Sequence, residues 1–202
     1  MHLRYVLLLC LASLPWTAAA EDRLLFSFDT PEAAQGWQAV NDGVMGGRSD
    51  GRFRMTDGGL MEFFGTLSLE NNGGFASVRT MGRPLGLNAG DVIVARVRGD
   101  GREYTFNVYA GGNRNGYSYR QSFTTKKDEW IDVVFPMDLF TATWRGRVFP
   151  NEKLNPAAVT GMGFLLGDKK PGPFKLEVDS IRVGTPQAET QRDLSLRNGK
   201  SS

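Results

Sequence analysis

Two glycine-rich segments carry most of the polar side chains that could bind a ligand. The segment NDGVMGGRSDG covers residues 41–51, and ENNGGFASVR covers residues 70–79. Glycine adopts positive backbone angles freely and asparagine tolerates them, so both segments suit shaped loops between strands. Their amide, carboxylate and guanidinium groups can donate and accept hydrogen bonds to a hydroxyl-rich or peptide ligand. The candidate binding residues are Asn41, Asp42, Arg48, Glu70, Asn71, Asn72 and Arg79.

These loops also have a plainer interpretation, in which the Asn and Asp side chains satisfy nearby backbone groups. Their polar residues outnumber what an ordinary turn needs, which favours a rim that faces a ligand. We expect Met45, an apolar residue inside the first loop, to pack inward beneath that rim.

Aromatic residues beside arginine supply a second set of candidates. Tyr117 and Tyr119 alternate along a strand-like run, so they share one face of the strand. Trp144 and Arg145 are adjacent in ATWRGR, and Trp, Tyr and Arg are enriched on protein-binding surfaces. Paired tyrosines on a strand are also common in ordinary sheet packing. We add Tyr117, Tyr119, Trp144 and Arg145 to the candidate surface.

The first twenty residues have the plan of a cleavable secretory signal. Arg4 precedes a short apolar run, and small residues end at Ala20. We therefore predict a signal peptide over residues 1–20 and an exported protein, periplasmic or extracellular after cleavage near Ala20. No later segment reaches about 20 apolar residues, so no transmembrane segment is predicted in the mature chain. Residues 21–186 are predicted to form a single domain, and the polar residues 187–202 a disordered tail.

Catalysis by histidine or cysteine is excluded in the predicted mature chain. His2 and Cys10 are the only such residues, and both lie in the signal. Their loss removes thiol nucleophiles, Ser-His-Asp triads and Cys/His zinc sites. The carboxylates of Asp42 and Glu70 could flank a glycosidic bond, so a glycoside hydrolase is a remote alternative. We predict a protein that is not an enzyme.

Charge gives no sign of a nucleic-acid partner. Removing Arg4 with the signal takes the 24 basic residues to 23, against 22 acidic ones, which leaves a net charge of +1. A protein that binds nucleic acid usually shows a basic excess or a basic stripe. We therefore expect no nucleic acid among the partners.

Strand-like patterns dominate the chain after the signal. Short period-two runs, rich in β-branched and aromatic residues, are separated by Gly, Asn, Asp and Pro. They cover residues 24–28, 52–56, 60–65, 66–69, 75–79, 92–98, 104–110, 117–123, 130–135, 163–167 and 174–183. A single helical turn near residues 30–35, with Pro31 at its first position, is the exception. The pattern predicts an all-β fold, an antiparallel β-sandwich or jelly roll.

The last run changes phase within the strand. Apolar residues alternate from Phe174 to Val178 and then resume at Ile181. A strand changes phase through a bulge, which we predict at Asp179–Ser180. The bulge either adjusts the twist of the sheet or aims Asp179 at a calcium ion, which prefers oxygen ligands. Calcium at Asp179 is the one metal considered, and no other cofactor is predicted.

Six segments together resemble the complex I intermediate-associated protein 30 family. They are WQAVNDGVMGGRS (37–49), FGTLSLENNGGFASVR (64–79), RGDGREY (98–104), WRGR (144–147), GMGFLLG (161–167) and GPFKLEVDSI (172–181). The order and spacing of the first two are hard to reach by chance, and the resemblance runs over nearly all of the chain after the signal. It implies a galactose-binding-like jelly roll with no catalytic residues. It also implies a chaperone-like role, because the family's mitochondrial members are assembly factors for complex I, the NADH:ubiquinone oxidoreductase.

A secretory signal departs from the mitochondrial pattern, so the inherited function is binding of a partner protein or a glycan. We expect a non-catalytic exported protein that binds a partner protein through its Asn/Gly-rich rim loops. The alternative is a carbohydrate-binding module of the jelly-roll type, with calcium at Asp179 as a stabilising ion.

Overall fold

The structure is a computed structural model that describes residues 22–80, 82–111 and 116–186. The predicted signal peptide and polar tail lie outside these residues, so both stay predictions. Within the described residues the chain forms thirteen strands and five short 3-10 helices. None of these helices is long and apolar enough to cross a membrane.

The strands are short and follow one another through tight connections. They are β1 (Arg23–Ser27), β2 (Trp37–Asn41), β3 (Asp50–Met55), β4 (Met61–Leu67), β5 (Ala76–Thr80), β6 (Val92–Gly99), β7 (Glu103–Ala110), β8 (Ser118–Thr124), β9 (Trp130–Pro136), β10 (Thr141–Trp144), β11 (Arg147–Phe149), β12 (Val159–Leu166) and β13 (Gly172–Gly184). The 3-10 helices are Pro31–Ala34, Asp42–Met45, Glu70–Asn72, Met137–Leu139 and Pro156–Ala158.

The strands pair antiparallel in two sheets. The six-stranded sheet runs in the order β3-β4-β13-β6-β9, with β1 also paired to β13. The seven-stranded sheet runs in the order β11-β10-β8-β7-β12-β5-β2. Because each strand alternates its side chains, the inner faces of both sheets bury one shared core. The predicted all-β antiparallel sandwich is confirmed.

Aromatic rings join the two sheets across this core. Phe106 on β7 stacks on Phe135 of β9, with ring centroids 4.5 Å apart. Phe164 on β12 lies 5.2 Å from Phe106. Because β9 belongs to the six-stranded sheet and β7 to the other, the contact between Phe106 and Phe135 joins the two sheets. Burying each such ring contributes roughly 2–3 kcal/mol.

The longest strand, β13, lies at the centre of the six-stranded sheet. Its first half pairs with β4, its second half pairs with β1, and β6 runs along its other side. The register with β6 shifts between Val178 and Ser180, which confirms the predicted bulge. The bulge restores burial after the phase change, since Val178 and Ile181 are both fully buried.

The sequence pattern missed three strands and divided another. The runs predicted at 60–65 and 66–69 form the single strand β4, because Gly65 lets β3 approach where a Cβ would lie 1.7 Å from the Asp50 carbonyl oxygen. Strands β10 and β11 are too short to show a period, and β2 exposes Gln38 and Ala39 side by side. The helical turn predicted near residues 30–35 is a 3-10 helix.

Candidate functional site

The carboxylate of Asp42 joins the two glycine-rich loops. The first loop follows β2 and the second precedes β5, and the antiparallel pairing of these strands places both loops at one edge of the sheet. Oδ1 of Asp42 accepts a hydrogen bond from the backbone N–H of Ser49 at 2.9 Å. Oδ2 accepts from Oγ of Ser49 at 2.6 Å and from the backbone N–H groups of Gly74 and Phe75 at 2.6 and 3.2 Å. Asp42 therefore connects the loops from inside the protein, where its side chain is fully buried.

These hydrogen bonds keep Asp42 ionised. Burial opposes ionisation, but the bonds from Ser49, Gly74 and Phe75 outweigh it and hold the pKa of Asp42 below its usual value. A general acid needs a raised pKa, so Asp42 does not have the properties that the glycosidase alternative requires. The structure places Asp42 inside the fold, which differs from the expectation that it faces a ligand.

Close approach to this carboxylate explains two of the glycines. A Cβ at Gly47 would lie 2.4 Å from Cγ of Asp42, and a Cβ at Gly73 would lie 2.6 Å from Oδ2. Gly43, in the same loop, has open space around its Cβ position. Glycine is therefore needed at positions 47 and 73 because the Asp42 carboxylate fills the space that a Cβ would occupy.

The other polar residues of the loops serve each other and the backbone. Nδ2 of Asn41 donates to the carbonyl of Gly51 at 2.9 Å, and its buried Oδ1 has no hydrogen-bond partner in the part of the chain that the structure describes. Nδ2 of Asn71 donates to the carbonyl of Gly46 at 3.2 Å. Both Asn71 and Asn72 have positive φ, as expected for asparagine in such a loop.

Arg48 and Glu70 form an ion pair between the two loops. The Nη1 to Oε2 distance is 3.0 Å, and about two thirds of each side chain is exposed. An exposed pair of this kind contributes about 0–1 kcal/mol. Both groups stay accessible to a ligand.

Met45 points outward, so the expectation that it packs beneath the loop is wrong. Val44 is 75% exposed and Met45 is 69% exposed. The 3-10 helix Asp42–Met45 directs these two apolar side chains over the edge of the seven-stranded sheet. They form one lip of a cleft.

The cleft, of about 850 Å³, lies on the outer face of the seven-stranded sheet. Its floor contains Ser77, Arg79, Tyr109, Ser118, Arg120, Thr143 and Leu165, and its rim contains Val44, Met45, Trp144, Arg145 and Lys169. Arg79 and Arg120 fall in one register row across the sheet, with Gly163 and Asn107 between them. The candidate Arg79 therefore lies on the floor of a ligand-sized depression.

Tyr109 lies between the two arginines of the floor. The guanidinium carbon of Arg79 lies 5.7 Å from the centre of the Tyr109 ring. Burial raises the pKa of the Tyr109 phenol, while Arg79 and Arg120 act in the opposite direction. Burial also lowers the pKa of the Arg120 guanidinium, whose Nε donates to Oγ of Ser118 at 3.0 Å. The floor is thus a half-buried cluster of two cations around one phenol.

Tyr117 and Tyr119 share a face, as predicted, but it is the face toward the core. Tyr119 is buried at 6% exposure, and Tyr117 packs against Phe149 with ring centroids 4.9 Å apart. Their neighbours Ser118 and Arg120 occupy the outer face and line the cleft. The expectation that both tyrosines form a binding surface is corrected, because burial of the larger apolar area sends the rings inward.

Trp144 and Arg145 lie where β10 turns into β11, at the rim opposite Val44 and Met45. Trp144 is 41% exposed, and the guanidinium carbon of Arg145 lies 4.9 Å from its ring centre. Arg145 has a positive φ of 48°. Both residues remain candidates for ligand contact.

Sequence reasoning missed most of the cleft residues, among them the charged or aromatic side chains of Tyr109, Arg120 and Lys169. Tyr109 and Arg120 alternate with buried residues on β7 and β8, so the period-two pattern contained the signal once the core face was known. Lys169 follows β12 in a loop with no motif, and its Nζ lies where a Cβ on Gly74 would approach to 2.8 Å.

Asp179 lies at the bulge and accepts a hydrogen bond from Oγ of Ser180 at 2.8 Å. No group of three or more His, Cys, Asp and Glu side chains is placed to hold a metal ion in the part of the chain that the structure describes. One carboxylate is a poor calcium site, which normally needs six to eight oxygen ligands. Calcium at Asp179 stays a prediction that the geometry does not favour.

The two antiparallel sheets define a β-sandwich with a cleft on one outer face. The profile of the family described as complex I intermediate-associated protein 30 matches residues 26–178. The chain belongs to this family, as the resemblance in its motifs indicated.

Relatives with this name come from animals and fungi. The mitochondrial complex I intermediate-associated protein 30 of Mus musculus is 28% identical over 193 residues, which cover 84% of this chain and 58% of the relative. The Drosophila melanogaster protein is 26% identical over 184 residues, covering 80% of this chain and 62% of the relative. The chain thus spans about three fifths of the length of these relatives. Their mitochondrial names overturn the prediction of an exported, periplasmic or extracellular protein.

Solved structures with the same fold include carbohydrate-binding modules. The family 11 module of a cellulosomal cellulase from Clostridium thermocellum superposes with a TM-score of 0.62 at 17% identity, covering 83% of this chain and 96% of the module. A family 30 module from the same organism gives a TM-score of 0.55 at 12% identity, covering 82% and 98%. At these identities the likeness shows the fold alone.

Substitution at Gly47 should be far more costly than at Gly43. Gly47→Ala forces a methyl group into the Asp42 carboxylate, which we expect to reduce the free energy of unfolding by about 2–3 kcal/mol. Gly43→Ala is the matched control, with an expected change within about 0.5 kcal/mol. Urea unfolding of both variants measures the difference, and equal stability would show that the carboxylate does not restrict the loop.

Asp42→Asn should destabilise the protein by about 3 kcal/mol at pH 7, because an amide turns N–H groups toward backbone donors. The folded pKa of Asp42 is lowered, so its contribution is complete above the unfolded value of about 3.9 and disappears as pH falls through the folded value. The stability gap between wild type and Asp42→Asn should therefore narrow below about pH 4. Urea titrations across pH measure this gap, and a constant gap would contradict the ionised carboxylate.

Proposed function

We propose that this chain is a non-catalytic assembly factor for complex I that binds a partner protein in the cleft of the seven-stranded sheet. Membership of the complex I intermediate-associated protein 30 family supports a role in complex I assembly. The cleft supports the mode of action, and it is the observation that carries the proposal. Because the relatives extend beyond this chain, the full activity of the longer proteins is part of the proposal and not a property of the fold.

The composition of the cleft suits a protein partner. Its rim presents Val44, Met45 and Trp144 as exposed apolar side chains on opposite sides. Its floor presents Arg79 and Tyr109 among small hydroxyl side chains. Met, Trp, Tyr and Arg are the residues enriched at the centre of protein interfaces, where a few of them contribute most of the binding free energy.

The buried carboxylate argues against a hydrolytic role for the same face. Asp42 makes four hydrogen bonds inside the loops and keeps a lowered pKa. Glu70 is paired with Arg48 on the surface. Asp42 is therefore unlike the neutral carboxylic acid that a glycosidase needs as its proton donor.

Carbohydrate binding is the second candidate, and the exposed ring of Trp144 at the rim favours it. Sugars stack on free aromatic faces, however, and the rings of the cleft are partly covered. Arg79 lies over Tyr109, and Arg145 lies over Trp144. The protein partner therefore fits the cleft better.

Affinity capture with a cleft variant tests the proposal. The full chain is immobilised, detergent-solubilised membranes rich in complex I intermediates are passed over it, and complex I subunits are quantified by mass spectrometry. Wild type should retain them, and Arg79→Ala should reduce retention about tenfold, since a central interface arginine contributes more than about 1.4 kcal/mol. Arg52→Ala, which removes an exposed arginine from β3 of the other sheet, is the control and should behave as wild type. Equal retention by both variants would rule out the cleft as the partner site.

Calorimetry with neutral β-glucan oligosaccharides tests whether the chain binds carbohydrate instead of a partner protein. We expect no heat of binding to the full chain. Binding that Trp144→Ala abolishes, together with no retention of complex I subunits, would replace the assembly proposal with a glycan-binding function.

A further inference from the structure

The outer faces of the two sheets differ in how their charges are paired. On the six-stranded sheet, Arg98 pairs with Glu177 at 2.5 Å, and Arg54 pairs with Glu62 at 2.5 Å. The cleft face carries four cations and no carboxylate among its lining residues. They are Arg79, Arg120, Arg145 and Lys169. None of the four takes part in an ion pair within the described residues.

Two of these cations also have incompletely satisfied groups. Nε of Arg79 is buried and has no hydrogen-bond partner within the described residues. Arg120 is half buried on the floor, and its Nε hydrogen bond goes to a neutral hydroxyl, Oγ of Ser118. Keeping a guanidinium away from water without an anion is costly. Neither guanidinium is paired with a carboxylate within the described residues, so each can pair with an anion supplied from outside the chain.

The separation of the two arginines indicates an extended ligand. Arg79 and Arg120 lie in one register row, three strand spacings apart through Gly163 and Asn107. At about 4.8 Å per spacing the backbones are about 14 Å apart. In an extended peptide, side chains four residues apart project to the same side at about 13 Å, which matches this distance.

The rim favours a peptide over an acidic polysaccharide. Val44 and Met45 are exposed on one lip and Trp144 on the other, so the ligand meets apolar side chains as well as cations. Guanidinium groups lie over Tyr109 and Trp144, which reduces the free aromatic face that a sugar ring would stack on. A flat lipid surface would not reach Arg120 on the half-buried floor.

We infer that the segment occupying the cleft is an extended acidic peptide of the partner protein, with two carboxylates about four residues apart that pair with Arg79 and Arg120. Apolar side chains of the same segment pack against Met45 at one lip and against Trp144 at the other. This inference rests on the proposed function, and it adds the chemistry of the partner segment.

A labelled peptide of about twelve residues, with Glu every fourth position and Leu between, probes the cleft by fluorescence anisotropy against the full chain. The same peptide with Gln in place of Glu is the control ligand. We expect the acidic peptide to bind, the Gln peptide to bind at least about tenfold more weakly, and salt to weaken the acidic peptide alone. Arg79→Gln and Arg120→Gln should each lower affinity about tenfold, whereas Arg52→Gln should not change it.

Further variants and ligands distinguish the outcomes. Arg145 is an exposed rim residue, so Arg145→Gln should not affect folding. Weaker binding of the acidic peptide to this variant would therefore support charge pairing. Binding of oligogalacturonate without the acidic peptide would overturn the inference in favour of an acidic glycan. Binding of phosphatidylglycerol vesicles alone would overturn it in favour of a lipid surface. If complex I subunits are captured while no acidic peptide binds, the inference fails and the proposed function stands.

Discussion

One buried carboxylate organises the part of this protein that meets its surroundings. Asp42 accepts hydrogen bonds from both glycine-rich loops, and the glycines nearest to it are those with no room for a Cβ. A charge inside a protein is tolerated when every lone pair finds a donor, and here backbone N–H groups supply most of them. The position of the apolar lip at Val44 and Met45 follows directly, because these residues occupy the 3-10 helix that Asp42 begins.

Floor and rim of the cleft depend on different parts of the fold. The floor is set by strand register, which the shared core holds in place through rings such as Phe106 and Phe164. The rim is set by the loops around Asp42 and by the turn between β10 and β11. The cleft is therefore a row of cations, positioned by strand register, between two lips whose shape is determined locally. This division suits a binding face whose charged floor is set by the sheet and whose rim is set by loops.

The sequence predicted the class of fold well, because period-two alternation and turn residues are local signals. Three of the candidate binding residues, Arg79, Trp144 and Arg145, line the cleft, and their role in binding stays a prediction. The sequence-based prediction was wrong about which way three side chains point. Asp42 and Tyr119 point into the protein, and Met45 points out of it. Alternation shows that two faces exist without showing which one is covered by the other sheet. Arg120 and Tyr109 were missed for this reason, since their importance appears only when distant strands are placed side by side.

The central position of β13 affects how the chain is made. This strand is the last of the thirteen in sequence, yet it pairs with β1, β4 and β6. During synthesis β1, β4 and β6 lack this pairing partner until residues 172–184 leave the ribosome. Pairing over such long sequence separations is slow, and open strand edges bind chaperones or aggregate in the meantime. The six-stranded sheet therefore cannot be completed before β13 is available to pair with β1, β4 and β6.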